Sequence, residues 1–276
     1  MRIRLDVAYD GTDFHGWATQ PGLRTVQGEL SDALATALRV DAVVLTCAGR
    51  TDTGVHARGQ VVHLDVDERS VVTSAGRSSE PPLVALARRL NGIVGTDVRV
   101  RRVIEAPAGF DARFSALWRR YAYRIADRPG TVDPLTRSHV LVWSRELDLD
   151  LMNRAAEDLL GAHDFASFCR RREGATTIRT LQHLVWGRDE DGLAVASVRA
   201  DAFCHNMVRS VVGCLLAIGD GRQAVGWAAD LLAAQERDGA VTVAHPHGLT
   251  LEEVAYPPEA ELGARVEITR NRRVHA

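Results

Sequence analysis

Cys47 through Gln60, in full Cys-Ala-Gly-Arg-Thr-Asp-Thr-Gly-Val-His-Ala-Arg-Gly-Gln, concentrates two Arg, an Asp, a His and three Gly in one short stretch. Gly49 and Gly54 allow tight turns and close approach of a ligand. Arg50 beside Asp52 is expected to keep the carboxylate ionised and aimed. Such a carboxylate suits a nucleophile or general base at a sugar carbon. The same residues also suit a turn in which Asp52 caps backbone amides and Arg50 pairs with it at the surface.

A second constellation runs from Phe114 to Arg124. Strand alternation puts Arg119, Tyr121 and Tyr123 on one face and Arg120, Ala122 and Arg124 on the other. Rings beside Arg stack bases and neutralise phosphates, or pack across strands with the Arg in water. The third, Asp201 to Gly213, sets Arg209 inside an apolar helical run of Val208, Val211, Val212 and Leu215. A partly buried Arg needs an anionic partner, which Asp52 would supply, unless it snorkels to water from a helix edge. His245-Pro246-His247 is a poor metal set, lacking further spaced ligands. The clusters Arg88-Arg89, Arg99-Arg101-Arg102, Arg170-Arg171-Arg172 and Arg270-Arg272-Arg273 read as solvated faces, or as backbone-tracking charge if several align along one groove.

These groups need elements to hold them. Ile3, Leu5, Val7 and Tyr9 alternate as a strand, and a helix follows from Thr25, its N-cap, with Val26, Leu30, Ala33, Leu34, Ala37 and Leu38 on one face. Strands at 42–47 and 60–66 flank the Asp52 loop. Residues 70–80 read as an exposed, mobile insertion, Pro81-Pro82 opens a helix to Leu90, and 97–104 is a strand. This is a ferredoxin-like order. A looser second half has strands at 119–126, 138–143, 178–188 and 193–200, helices at 149–160, 203–218 and 224–235, and a closing strand at 250–256. The expected fold is α+β: two ferredoxin-like halves in a mixed, mostly antiparallel sheet, helices on one face, with an active-site cleft between the halves. Domain limits are set at 1–105 and 106–260, with a tail at 261–276.

Composition narrows the chemistry. The chain has 276 residues, 46% of them hydrophobic, enough for a sizeable core. All 34 basic residues are Arg, so lysine Schiff bases, lysine general bases and a phosphate-loop Lys are excluded. The formal net charge of −2 leaves any nucleic-acid partner to local Arg clusters. Cys47, Cys169, Cys204 and Cys214 form no C-x-x-C pair, so neither a zinc ribbon nor a disulfide framework is expected and a reducing cytoplasm fits. The first ten residues do not read as a signal peptide, and the apolar run 211–219 is too short for a membrane span, so a soluble protein is expected.

The whole pattern resembles the bacterial tRNA pseudouridine synthase A family. The resemblance rests on Tyr9-Asp10-Gly11-Thr12-Asp13-Phe14-His15-Gly16-Trp17, Gly49-Arg50-Thr51-Asp52, Ala112-Arg113-Phe114-Ser115, Arg119-Arg120-Tyr121, Asp164-Phe165-Ala166-Ser167-Phe168 and Met207-Val208-Arg209, in that order. It implies the pseudouridine synthase fold and an enzyme that isomerises uridine to pseudouridine at positions 38 to 40 of the tRNA anticodon stem-loop. It implies neither cofactor nor metal, and a homodimer in which one tRNA touches both subunits. Asp52 is then the nucleophile or base, Tyr121 stacks on the target base, and Arg50 and Arg209 support the Asp. Thr53 and Ala18 stand where the family more often has Ala and Gln. Two alternatives remain: a tRNA-binding or folding protein without chemistry, and a metal-free nucleoside hydrolase, which would release free uracil.

Overall fold

The structure, a computed structural model, describes residues 1–170, 174, 176–236 and 238–271. In chain order the elements are β1 (Arg2–Tyr9), α1 (Val26–Leu38), β2 (Thr46–Cys47), β3 (His56–Asp65), α2 (Glu68–Ser74), α3 (Pro82–Asn91), β4 (Val98–Glu105), β5 (Trp118–Ala126), β6 (Leu141–Val142), α4 (Leu149–Glu157), β7 (Gly161–Asp164), β8 (Ile178–Arg188), β9 (Ala194–Ala200), α5 (Met207–Gly219), α6 (Trp227–Ala234), β10 (Leu249–Ala255) and α7 (Leu262–Asn271). The class is α+β. The strand β1 pairs antiparallel with β3 and β4, as do β2 with β3, β5 with β9, and β8 with β7 and β9, whereas β6 meets β5 in a two-residue parallel contact.

The chain divides into two compact units: Met1–Leu117 with the C-terminal stretch from Leu251, and Trp118–Thr250. In the first, the strands run β4-β1-β3-β10, with β2 also on β3. Period-two alternation buries Ile3, Leu5, Val7 and Tyr9, and β1 pairs Leu5 with Val62 and Ile3 with Leu64. All six apolar positions expected on α1 are buried, and Thr25 caps the helix by accepting from Gly28 N. The edge strand β4 is closed by α3: the Asn91 side chain donates to Val100 O at 2.7 Å and accepts from Val100 N at 2.8 Å. Those main-chain groups are therefore unavailable for pairing with another strand.

In the second unit the order is β5-β9-β8-β7. Tyr121 faces Val198, Tyr123 faces Ala196, and Leu184 also faces Val198, so one sheet face is a continuous apolar layer. α5 is buried along nearly its whole length. Asp127, fully covered, is paired with Arg188 and also accepts from Leu147 N at 2.9 Å.

Four expectations need correction. Residues 70–80 are not simply a mobile loop, because Asp67 caps α2 and Val71 and Ser74 are buried; its Ser and Thr content hid the short apolar face. The strand expected at 42–47 shrinks to Thr46–Cys47, and that at 138–143 to Leu141–Val142. The helix expected from Phe203 begins at Met207, because Asn206 adopts a left-handed backbone at φ 68° and the preceding residues cannot continue the spiral. Within the C-terminal tail α7 is a helix docked on its own unit: the Arg270 guanidinium lies 5.2 Å from the Phe114 ring centroid. Arg171, Arg172, Arg272 and Arg273 of the expected clusters lie outside the described residues.

Candidate active site

The Asp52 loop joins β2 to β3 and is held by its backbone. Trp17 N donates to Thr51 O at 3.0 Å, Gly54 N to Phe14 O at 3.3 Å, and Val55 N to Asp52 O at 3.1 Å. Gly16 and Gly54 take positive φ, 85° and 76°. A methyl on Gly16 would also stand 2.9 Å from Thr51 O, so only glycine lets the 11–17 segment lie against the loop. Beneath it, the Tyr9 hydroxyl bonds the Thr51 hydroxyl at 2.8 Å, and Gln60 Nε2 donates to Gly49 O at 2.8 Å and to the Tyr9 hydroxyl at 3.3 Å. Burial holds the Tyr9 phenol well above its usual range, against the opposing effect of its bonds to Thr51 and Gln60, so it stays a neutral strut. His56 Nδ1 accepts from Gly11 N at 2.9 Å and ties the end of β1 to the loop's exit.

These supports were not singled out as functional from sequence. A signal existed: Gln60 is a fully buried polar residue opening the apolar run Val61-Val62, and such a group requires partners.

Thr51 turns inward, Asp52 is half-buried, and Arg50 is exposed. Among the described residues Arg50 makes no hydrogen bond or ion pair, so the expected Arg50–Asp52 pairing is not formed. An exposed guanidinium gains little from pairing in water, and Arg50 keeps its own available to an anion.

In the second unit, Tyr121 is 7% exposed, and Phe203 meets it edge to face with centroids 5.2 Å apart. Arg119 donates to Asp201 O at 2.8 Å and anchors the chain just before Phe203. Arg209, half-buried on the first turn of α5, donates from Nε to Ala244 O at 2.7 Å, while its own carbonyl accepts from Ala244 N at 3.0 Å. The adjacent His245 O accepts from the Tyr123 hydroxyl at 2.7 Å. Burial pushes the Tyr123 phenol up, the nearby Arg209 charge opposing it. Residues 244–245 thus brace both Arg209 and the strand that carries Tyr121. That bracing segment has no sequence signature.

Cys169 and Cys204 are joined as a disulfide with Cα atoms 5.8 Å apart, which corrects the expectation of no cross-link. They lie 35 residues apart and meet only because the chain after Phe168 runs back beside the segment entering α5, where Arg170 N donates to His205 O at 3.0 Å. Cys47 and Cys214 are buried and take no part in a disulfide. Among the described residues no three His, Cys, Asp or Glu side chains gather as a metal site, and no helix is long and apolar enough to cross a membrane.

Comparison with known proteins places these features in context. A family profile described as tRNA pseudouridine synthase matches residues 155–257. A tRNA pseudouridine synthase A from Streptomyces griseus is 58% identical over 98% of this chain and 93% of its own length. One from Frankia casuarinae is 56% identical over 99% and 96%, and one from Mycobacterium leprae 52% identical over 99% and 96%. A solved H/ACA RNP bound to a substrate RNA aligns at 11% identity and TM-score 0.32, over 79% of this chain and about half (53%) of that one, too weak a likeness to bear on the fold.

Proposed function

Because the chain belongs to the tRNA pseudouridine synthase A family, and so is a tRNA-modifying isomerase, we propose that it converts uridine to pseudouridine at positions 38, 39 and 40 of the anticodon stem-loop. Asp52 acts on the ribose as nucleophile or base. Tyr121 stacks on the target base, Arg209 supports the reacting carboxylate, and Arg50 supports it or holds a phosphate beside it. The reaction breaks the N1–C1′ bond, turns the uracil and forms the C5–C1′ bond, the C5 proton being released while N1 takes up a proton. It needs no net oxidant and no external group, only a carboxylate at the sugar and a flat wall for the detached base. A stem uridine must leave its stack to be reached, at a cost of about a few kcal/mol offset by phosphate contacts. The reading also takes the active protein as a cytoplasmic homodimer.

The observation that supports this most directly is the Asp52 loop. A half-buried carboxylate sits on a backbone pinned by Tyr9, Thr51, Gln60 and Trp17, so the residue that carries it is held in place before substrate arrives. The test is an unmodified tRNA transcript carrying tritium at uridine C5, with pseudouridine mapped after incubation. Tritium release confined to positions 38–40 is the expected result. Tight binding without release would favour a binding protein, and free uracil would favour a hydrolase.

The same assay tests Tyr121. Tyr121→Phe keeps the ring and is expected to retain activity within several-fold. Tyr121→Ala removes a stacking contact of about 1–3 kcal/mol, so a loss of roughly tenfold or more is expected. Equal activity in the two variants would discard the stacking role.

A further inference from the structure

Several arginines of this protein are paired with carboxylates within the fold. Arg2 pairs with Asp65, Arg24 with Glu29 and Asp97, Arg128 with Glu146, and Arg222 with Asp220. Arg99 and Arg101 on β4 have no such partner among the described residues, as is also true of exposed Arg39, Arg50, Arg77, Arg145 and Arg154; what distinguishes the two is their place beside each other at one groove. Both are exposed, and neither side chain makes a hydrogen bond or ion pair among the described residues. Their neighbours on either side in the cluster differ: Arg102 reaches Asp6 at 2.8 Å, and Arg88 reaches Glu80 at 3.1 Å.

The two unneutralised cations border a groove of about 430 Å³ on the α3 side of the edge strand, lined by Val84, Arg88, Asn91, Arg99, Val100 and Arg101 among others, with no carboxylate in its lining. Two sequence clusters that read separately as solvated faces, Arg88-Arg89 and Arg99-Arg101-Arg102, are thereby brought to one concave surface. Arg99 and Arg101 are separated by Val100 alone on β4, where the pairing with β1 shifts register and leaves Arg101 without a partner of its own. The Asn91 clamp on Val100 closes the main-chain groups of the strand here, so the groove does not suit an added peptide strand. What it offers is guanidinium donors at the edge of a trough of mixed polar and apolar lining, the donors being the chemistry of phosphate recognition.

We propose that the Arg88/Arg99/Arg101 groove between α3 and β4 is a second contact for the sugar–phosphate backbone of the RNA substrate, with Arg99 and Arg101 each taking a phosphate. This rests on the proposed tRNA function. The groove then serves to position the substrate, because β4 is two strands from β3 and a chain held there would be gripped away from the Asp52 loop. It also accounts for how a protein of net charge −2 holds a polyanion, since the contact charge is local and not global.

The test measures the dissociation constant of an unmodified tRNA transcript for wild type, Arg99→Gln/Arg101→Gln and Arg128→Gln across a series of salt concentrations. Each phosphate contact contributes about 0.7–0.9 to the slope of log affinity against log salt, so the double variant is expected to lose about 1.5 from that slope and roughly tenfold in affinity at low salt. Arg128→Gln removes an exposed but already paired charge and should keep the wild-type slope. An unchanged slope in the double variant would overturn the proposal, as would an equal loss per charge in Arg128→Gln, which would reduce the effect to net charge. If wild type neither binds nor modifies tRNA, the functional reading fails instead, a result separable from either of these.

Discussion

Asp52→Asn is expected to lower single-turnover tritium release by about a thousandfold or more, equivalent to about 4 kcal/mol of lost transition-state stabilisation. The amide has nearly the shape of the carboxylate, but it neither attacks a sugar carbon nor accepts a proton at neutral pH. The loop should survive the change, because its supports are bonds to other atoms: the Thr51 hydroxyl to Tyr9, the Gly49 carbonyl to Gln60, and the Asp52 carbonyl, not its side chain, to Val55 N. Denaturation midpoint and tRNA affinity should therefore stay near wild type, the affinity within several-fold. Release at the wild-type rate would remove Asp52 from the chemistry. Loss of folding together with activity would instead assign it a structural role.

Gly213→Ala is expected to destabilise the protein by about 3 kcal/mol, the upper end of what overpacking a close contact costs. A methyl on Gly213 would overlap the Thr242 carbonyl oxygen, which is main chain and has no flexible tip to swing away. The 242–244 segment or α5 must move, and that movement loosens the two hydrogen bonds between Ala244 and Arg209, one turn earlier on the same helix. A lower urea midpoint with unchanged slope, and a fall in turnover that exceeds the fraction unfolded, are the expected signature. Gly187→Ala on β8, where a methyl meets nothing within 4 Å, is the comparison and should cost little. A neutral Gly213→Ala would mean that the close approach does not constrain Arg209.

The sign of that effect separates two kinds of information. Sequence reasoning alone ranks Ala above Gly in a helix interior by about 1 kcal/mol, so it expects Gly213→Ala to stabilise. The tertiary approach of Thr242 reverses the answer.

What the chain determined by itself is whatever short-range pattern encodes. The six buried positions of α1, its Thr25 cap, the strand Ile178–Arg188 and the alternation that separates Tyr121 from Arg120 follow from periods of 3.6 and 2 and from capping chemistry. The density of Arg, Asp, His and Gly around Asp52 marked the loop as chemical, and its order with five other segments pointed to the family. Folding alone decided the rest, because each case joins residues whose separation along the chain carries no signal. Tyr9 and Gln60 became the floor of the Asp52 loop, Ala244 the brace of Arg209, Cys169 the partner of Cys204, and Arg88, Arg99 and Arg101 the rim of one groove. The exposed Arg50, expected beside Asp52, shows the converse: adjacency in sequence does not by itself make an ion pair.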